Sequence, residues 1–176
     1  DGLWVTDPEE LPALMSRYWD AGLDIHIHSN GDASQDSTLS AFKTQKPGVD
    51  GQRMIIEHAG ILNPDQLAQA STLDIGISAA SHYVRFMGDD YLESIAEKTE
   101  MITPLRSATD MGIPVTMHSD APLAPPNPLK AAGVHMTRET RQGTINNVRE
   151  TLTADQALRA ITLNAAWALG LENELG

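Results

Sequence analysis

The stretch Met54-Ile55-Ile56-Glu57-His58, followed after a short turn by Asn63-Pro64-Asp65-Gln66, decides how this chain is read. The first segment is an apolar run of strand length that ends on two titratable residues. In the second, Asn63 is an N-cap, Pro64 stands at the first helical position and Gln66 supplies the far side of a capping box. A strand that runs at once into a capped helix is one β–α unit.

Working outward, the same grammar repeats. Upstream, Asp7-Pro8-Glu9-Glu10 predicts a helix start, and Leu11, Leu14, Met15, Tyr18 and Trp19 form one apolar stripe before Gly22 stops it. Residues 23–28, 75–80 and 113–118 read as further strands. Thr103-Pro104 opens a helix stopped by Gly112, Asn127-Pro128 opens another, and Thr153 to Gln156 is a capping box without the proline. Strands alternating with helices predict a parallel sheet.

His28 and His58, at the ends of the first two strands, are 30 residues apart, and the last two strand ends are 38 apart with a longer loop between them. A (β/α)8 barrel spends roughly 31 residues per unit. The pitch therefore predicts an α/β fold: half of a TIM-type barrel, with four sequential parallel strands and helices on the outer face. A small open doubly wound sheet is the alternative, and the missing G-x-G-x-x-G turn counts against it. The proline-containing loop 121–127 is too short for a linker, so residues 1–176 are expected to be one unit without an internal boundary.

Composition narrows the function. Twelve basic against 24 acidic residues give a net charge of −12, which disfavours nucleic acid and anionic membranes as partners. The chain has no cysteine, which excludes a disulfide framework, a thiol nucleophile and a Cys-ligated zinc, and leaves the redox compartment open. No apolar run approaches the roughly 18–20 residues of a membrane span and no signal peptide is read at the start. The expectation is a soluble chain, cytoplasmic rather than secreted.

In folds of this kind chemistry gathers at the C-terminal ends of the strands. The predicted ends carry His26 and His28, then Glu57-His58, then Ser81-His82, then His118-Ser119-Asp120; of the six histidines only His135 falls on a predicted helix. Imidazoles and a carboxylate converging on one mouth suit a borderline divalent cation such as zinc. His26 and His28 share a strand face, and His28, nearer the edge, is the preferred ligand. Asp32 either caps the next helix or orients a ligand. Glu57 is expected to point away from His58 into a salt bridge with the helical layer. Asp120 could bind a metal and accept a proton from its water.

His28-Ser29-Asn30-Gly31-Asp32, Ile56-Glu57-His58-Ala59 and Ser119-Asp120-Ala121-Pro122, in this order, resemble the amidohydrolase superfamily, most closely the amidohydrolase-3 group of metal-dependent hydrolases. Leu152 to Ala166 is similar to that group's C-terminal helices. The resemblance implies strands five to eight of the barrel, with His28, His58 and Asp120 as metal ligands and Asp120 also as general base. His26, Asp32, His82 and His118 are expected to touch the metal ligands or the substrate. His118 departs from the family, which often has glycine there. The family's His-x-His on strand one and its Lys or Glu on strand four have no counterpart in these residues and would lie upstream of Asp1.

The implied reaction is hydrolysis of an amide or related C–N bond in a small-molecule substrate, with a divalent metal, zinc by preference, polarising the carbonyl and acidifying water. Tyr83, Arg85 and Phe86 could shape the pocket. The alternatives are a non-catalytic half-barrel or pseudoenzyme that at most binds metal weakly and, with less support, a complete small phosphohydrolase using Asp120. In the isolated fragment the metal could be absent. The half-barrel would need its missing N-terminal half or a self-dimer, because cut strand edges template pairing.

Overall fold

The computed structural model describes residues 3–176. In chain order its elements are α1 (Leu11–Trp19), β1 (Ile25–Ser29), α2 (Asp32–Lys43), β2 (Met54–His58), α3 (Pro64–Thr72), β3 (Gly76–Ala80), α4 (His82–Arg85), α5 (Gly88–Ser94), α6 (Leu105–Asp110), β4 (Val115–His118), α7 (Pro128–Thr137), α8 (Ala154–Ile161) and α9 (Leu163–Ala168), with 3-10 turns at Ala96–Met101 and Val148–Glu150. The four strands form one sheet in the order β1-β2-β3-β4, every neighbour parallel. The predicted strands are all present, each boundary within two residues of its expected place.

The capping grammar is met at three sites, Asn127 capping α7 by accepting from the Lys130 amide at 3.0 Å, and displaced at a fourth. Asn63 and Gln66 form a reciprocal capping box on α3, and Thr153 and Gln156 another on α8. Asp7-Pro8, by contrast, builds a turn: the Asp7 carboxylate accepts from the Glu9 amide at 2.9 Å, and the helix starts only at Leu11.

Register sorts the strand residues onto two faces. Ile27, Ile56, Ile77 and Val115 lie in one row across the sheet. With Ile25, Met54, Ala79 and Met117 they pack against Leu39 and Phe42 of α2, Leu67 and Ala70 of α3, Leu105 and Ala108 of α6, and Ala157 and Ala160 of α8. This is the helical side. His28, Glu57, Ser78 and Thr116 form the corresponding row on the opposite, inner face. Successive strand residues alternate between faces, so the polar row is as much a product of the sequence as the apolar one.

One helix serves the inner side. Trp167 of α9 lies so close over Gly76 that a Cβ there would sit 2.7 Å from the indole ring. Arg53, just before β2, donates to the Trp167 carbonyl and to the Glu172 carboxylate, and its guanidinium lies 5.1 Å from the Trp167 ring centre. These residues close the base of the sheet at its N-terminal end. At the other end, the segment between β3 and α6 folds into a small second core of Ala80, Tyr83, Val84 and Ile102. Arg138, fully buried, donates to the Ile102 carbonyl at 2.8 Å and the Thr103 carbonyl at 3.0 Å, which fixes that segment from below. Among the described residues no helix is long and apolar enough to cross a membrane.

Candidate metal centre

β1, β2 and β4 deliver His28, His58 and Asp120 to the same end of the sheet. The His58 ring lies edge-on between two others, 4.4 Å from the His28 centroid and 4.9 Å from the His118 centroid. Its Nδ1 is 3.7 Å from an Asp120 carboxylate oxygen.

His58 reaches this place by backbone, not by pleat. In the β2 register it pairs with Ser29 and Ala79, both helix-side positions, and Ser29 itself bonds to Ser34 and Thr38 of α2. Alternation alone would turn His58 outward. Instead His58 and Ala59 take left-handed conformations, φ 72° and 48°, and the ring is carried over the mouth. Asp120 is also left-handed, at φ 51°. Non-glycine residues there are uncommon, and such strain persists where the surrounding structure enforces it, often at functional sites.

Glu57 corrects the sequence expectation. Its carboxylate faces the inner side, 2.7 Å from His26 Nδ1 on β1 and 3.6 Å from His118 Nε2 on β4, and makes no salt bridge to the helices. The reason is register: with His58 displaced by its turn, Glu57 keeps the row of His28, Ser78 and Thr116. Burial works to raise its pKa, but hydrogen bonds from His26 and Ser78 and the nearby His118 hold it below the usual carboxylate range. His26 moves the opposite way: the Glu57 hydrogen bond raises it against the opposing effect of burial.

The remaining candidates divide. His82, 3% exposed at the start of α4, sits near Asp120 and His118, and burial lowers its pKa. Tyr83, also 3% exposed, stands edge-on to His58 at 6.3 Å and stacks on Tyr91. Burial, with Tyr91 and Asp120, raises its hydroxyl pKa well above the ordinary value. Asp32 is not brought to the imidazoles. Its carboxylate accepts from Lys98 at 2.7 Å and from the Ala33 amide at 3.0 Å, and the lysine hydrogen bond lowers its pKa. Arg85 is tied to the Thr140 and Glu139 carbonyls, and Phe86 is exposed.

At the mouth, sequence reasoning missed the inward Glu57; away from it, it missed Lys98, the partner of Asp32. The signal for Glu57 was present in the alternation Ile55-Ile56-Glu57; nothing local marks Lys98, which reaches Asp32 across 66 residues.

Whether the site suits a cation can be judged from its unpaired atoms. His58 Nδ1, His82 Nδ1 and His118 Nε2 are buried without a hydrogen-bond partner. Leaving a buried polar atom unpaired costs about 1–3 kcal/mol. The 3.7 Å between His58 and Asp120 is too long for a hydrogen bond and close to the roughly 3.4 Å separating two ligands of a tetrahedral zinc held at ~2.1 Å each. Burial, then the proximity of His118 and His28, pushes the His58 pKa down to about 4, so its ring is neutral at pH 7 and has a lone pair to give. The donor types and the His58–Asp120 pair fit a zinc-like ion. The set is incomplete: among the described residues no three His, Asp or Glu side chains are close enough together to hold one.

Comparison with known proteins places this arrangement. A family model described as "Amidohydrolase family" matches residues 2–176. An N-substituted formamide deformylase from Arthrobacter pascens is 29% identical over 170 residues, covering 95% of this chain and 31% of the relative. The crystal structure of an uncharacterized metal-dependent hydrolase from Pyrococcus furiosus superposes with a TM-score of 0.79 at 24% identity, over 99% of this chain and 35% of that one. An adenosine deaminase from Xanthomonas campestris with bound zinc gives 0.64 at 14% identity, over 97% of this chain and 38% of its own. Both structural likenesses concern the fold. The chain spans about a third of the length of the relatives it matches.

Proposed function

The chain belongs to the amidohydrolase family, and from that premise we propose that it forms strands five to eight of a metal-dependent (β/α)8 hydrolase acting on amide or related C–N bonds of a small molecule. The observation that carries this is the pairing of His58 with Asp120 at 3.7 Å, both on left-handed backbone, beside the His28 ring. His28, His58 and Asp120 would hold a divalent cation, zinc by preference. The zinc in the X. campestris deaminase supports that choice by analogy.

Bound there, the cation would supply Lewis acidity toward the scissile carbonyl and toward water. The chain's own groups do the rest. Asp120 accepts the proton of the attacking water and returns it to the leaving nitrogen, the two halves of general acid–base catalysis. His58 stays neutral and keeps a lone pair to give to the cation. Tyr83 and His82, both buried, wall the mouth and exclude water from it. Residues outside this chain would complete the ligand set, on the strands that a half-barrel lacks.

A second reading has one observation in its favour, the absence of three converged ligands among the described residues. It makes the chain a non-catalytic half-barrel that associates and binds metal weakly. A panel of N-substituted amides assayed with the zinc-supplemented full-length protein separates the two. Turnover lost in Asp120→Asn supports the hydrolase. Zinc binding without turnover on any amide supports the half-barrel reading.

A further inference from the structure

Three strand-end loops meet beside the His58 ring, and one side chain among them is still without a task, the carboxamide of Asn30. Its main chain is fully committed. The Asn30 amide donates to Ser34 Oγ at 3.1 Å and its carbonyl accepts from the Ile61 amide at 2.9 Å, which ties the loop after β1 to the loop after β2. The side chain lies across Gly60. A Cβ there would collide with Asn30 Oδ1, whereas the nearest main-chain atom, the Asn30 carbonyl oxygen, would stand 3.0 Å away. Gly60 is not left-handed, so its missing side chain makes room for Asn30 and does not serve backbone freedom. It cannot retreat either, because its carbonyl accepts from the Thr103 amide at 3.0 Å. With Oδ1 resting on Gly60, the NH2 arm faces the third loop. There stands Tyr83, edge-on to His58. Burial, Tyr91 and Asp120 raise the Tyr83 pKa and Asn30 alone works to lower it, the effect of a donor beside the hydroxyl oxygen. An amide NH2 carries two donors, and the second meets no acceptor among the described residues. It is also within reach of a ligand: Asn30 is half-buried and lines, with His28, a cavity of about 1000 Å3.

We propose that Asn30 is a substrate-binding residue whose Nδ2–H donates to the carbonyl oxygen of an amide held at the mouth, and that Gly60 is the positioning residue that keeps the carboxamide in place. That the bound amide is a substrate rests on the hydrolase reading. A carbonyl oxygen has two lone pairs, so one is open to Asn30 while the other faces a cation. The donor is fixed by packing and main-chain hydrogen bonds before any ligand arrives, which spares binding the cost of ordering it.

The test is saturation-transfer NMR titration of zinc-supplemented full-length protein with two small probes, N-methylacetamide and N,N-dimethylacetamide. Asn30→Ala should raise the dissociation constant of both about fivefold, since one neutral hydrogen bond is lost. Gly60→Ala should do the same by displacing the carboxamide. In the double variant Gly60→Ala should add nothing further, because both changes act through one side chain; independent damage to two loops would give losses that add. Wild-type affinity retained in Asn30→Ala overturns the proposal, and so do additive losses or a wild type that binds neither probe saturably. A loss confined to N-methylacetamide overturns it too, since Asn30 would then be accepting from the probe's N–H. If Gly60→Ala fails to fold, the two probes on Asn30→Ala decide. The outcome is separable from the hydrolase reading: the fivefold loss in a protein that cleaves no amide keeps Asn30 as a carbonyl-binding residue and removes the substrate clause, whereas amide turnover with probe affinity unchanged in Asn30→Ala keeps the hydrolase and removes Asn30.

Discussion

Arg53, at the base of the sheet, spends its guanidinium on the Trp167 carbonyl, the Glu172 carboxylate and the Trp167 ring. At the mouth of the same strands His58, His82 and His118 each keep a buried ring nitrogen without a partner. The base resembles the solution a protein finds when a region must only hold together: charge is paired, and Gly76 gives up a side chain so that an indole can sit on the sheet. The mouth is costly. Unpaired nitrogens and left-handed His58 and Asp120 are destabilising features, and a ligand would offset them. The difference teaches where to look for function: at the end of the sheet where polar groups are concentrated and left unsatisfied.

Substitutions at the two ends should therefore have opposite signatures. The largest effect is expected at Asp120. In an active full-length enzyme Asp120→Asn should lower kcat/KM by about 10³-fold while the unfolding midpoint in urea stays close to wild type. At the base the pattern reverses. Gly76→Val places methyl groups into the Trp167 ring and should cost about 1–3 kcal/mol of stability, read by urea unfolding, with zinc affinity unchanged.

Acid should sharpen the comparison from a third place. His135 of α7 is fully buried, both ring nitrogens lack partners, and burial with the nearby Arg138 pushes its pKa down to about 3. Folded, it is neutral; unfolded, it binds a proton below its ordinary pKa of about 6.5. The unfolded state holds more protons in that window, so stability is complete above pH 6.5 and falls as the pH drops toward 3. His58, held near 4, adds a loss of the same sign. Urea unfolding at pH 7 and pH 5 should show the decline, and His135→Leu should make it shallower. The smallest effect is at His58 itself. His58→Gly relieves φ 72° and should leave metal-free stability unchanged or raise it by up to about 1 kcal/mol. A fall of more than that would mean that the ring is a structural element of the mouth.

Much of this was legible before any coordinates. The four strands follow from apolar runs bounded by turn residues, and the caps at Asn63 and Thr153 follow from side chains that satisfy helical amides locally. The grouping of His28, His58 and Asp120 at one end follows from strand polarity. What stayed hidden depends on the backbone or on distance along the chain. Glu57 was assigned to the helical layer because alternation was counted from His58, and His58 is the residue that leaves the pleat. Asp32 seemed free to orient a ligand because its partner Lys98 lies in a segment with no regular pattern. The Arg138 clamp was invisible too: its acceptors are main-chain carbonyls, which carry no side-chain signature.

The central claim is that His58 and Asp120 hold a cation together, and zinc titration calorimetry of chelator-stripped full-length protein tests it most directly. The account predicts a zinc site in the wild type whose affinity falls about 100-fold or more in His58→Gly and in Asp120→Asn, because a tetrahedral zinc site draws on few protein ligands, while Gly76→Val titrates like the wild type. Wild-type affinity retained in both mouth variants would contradict it.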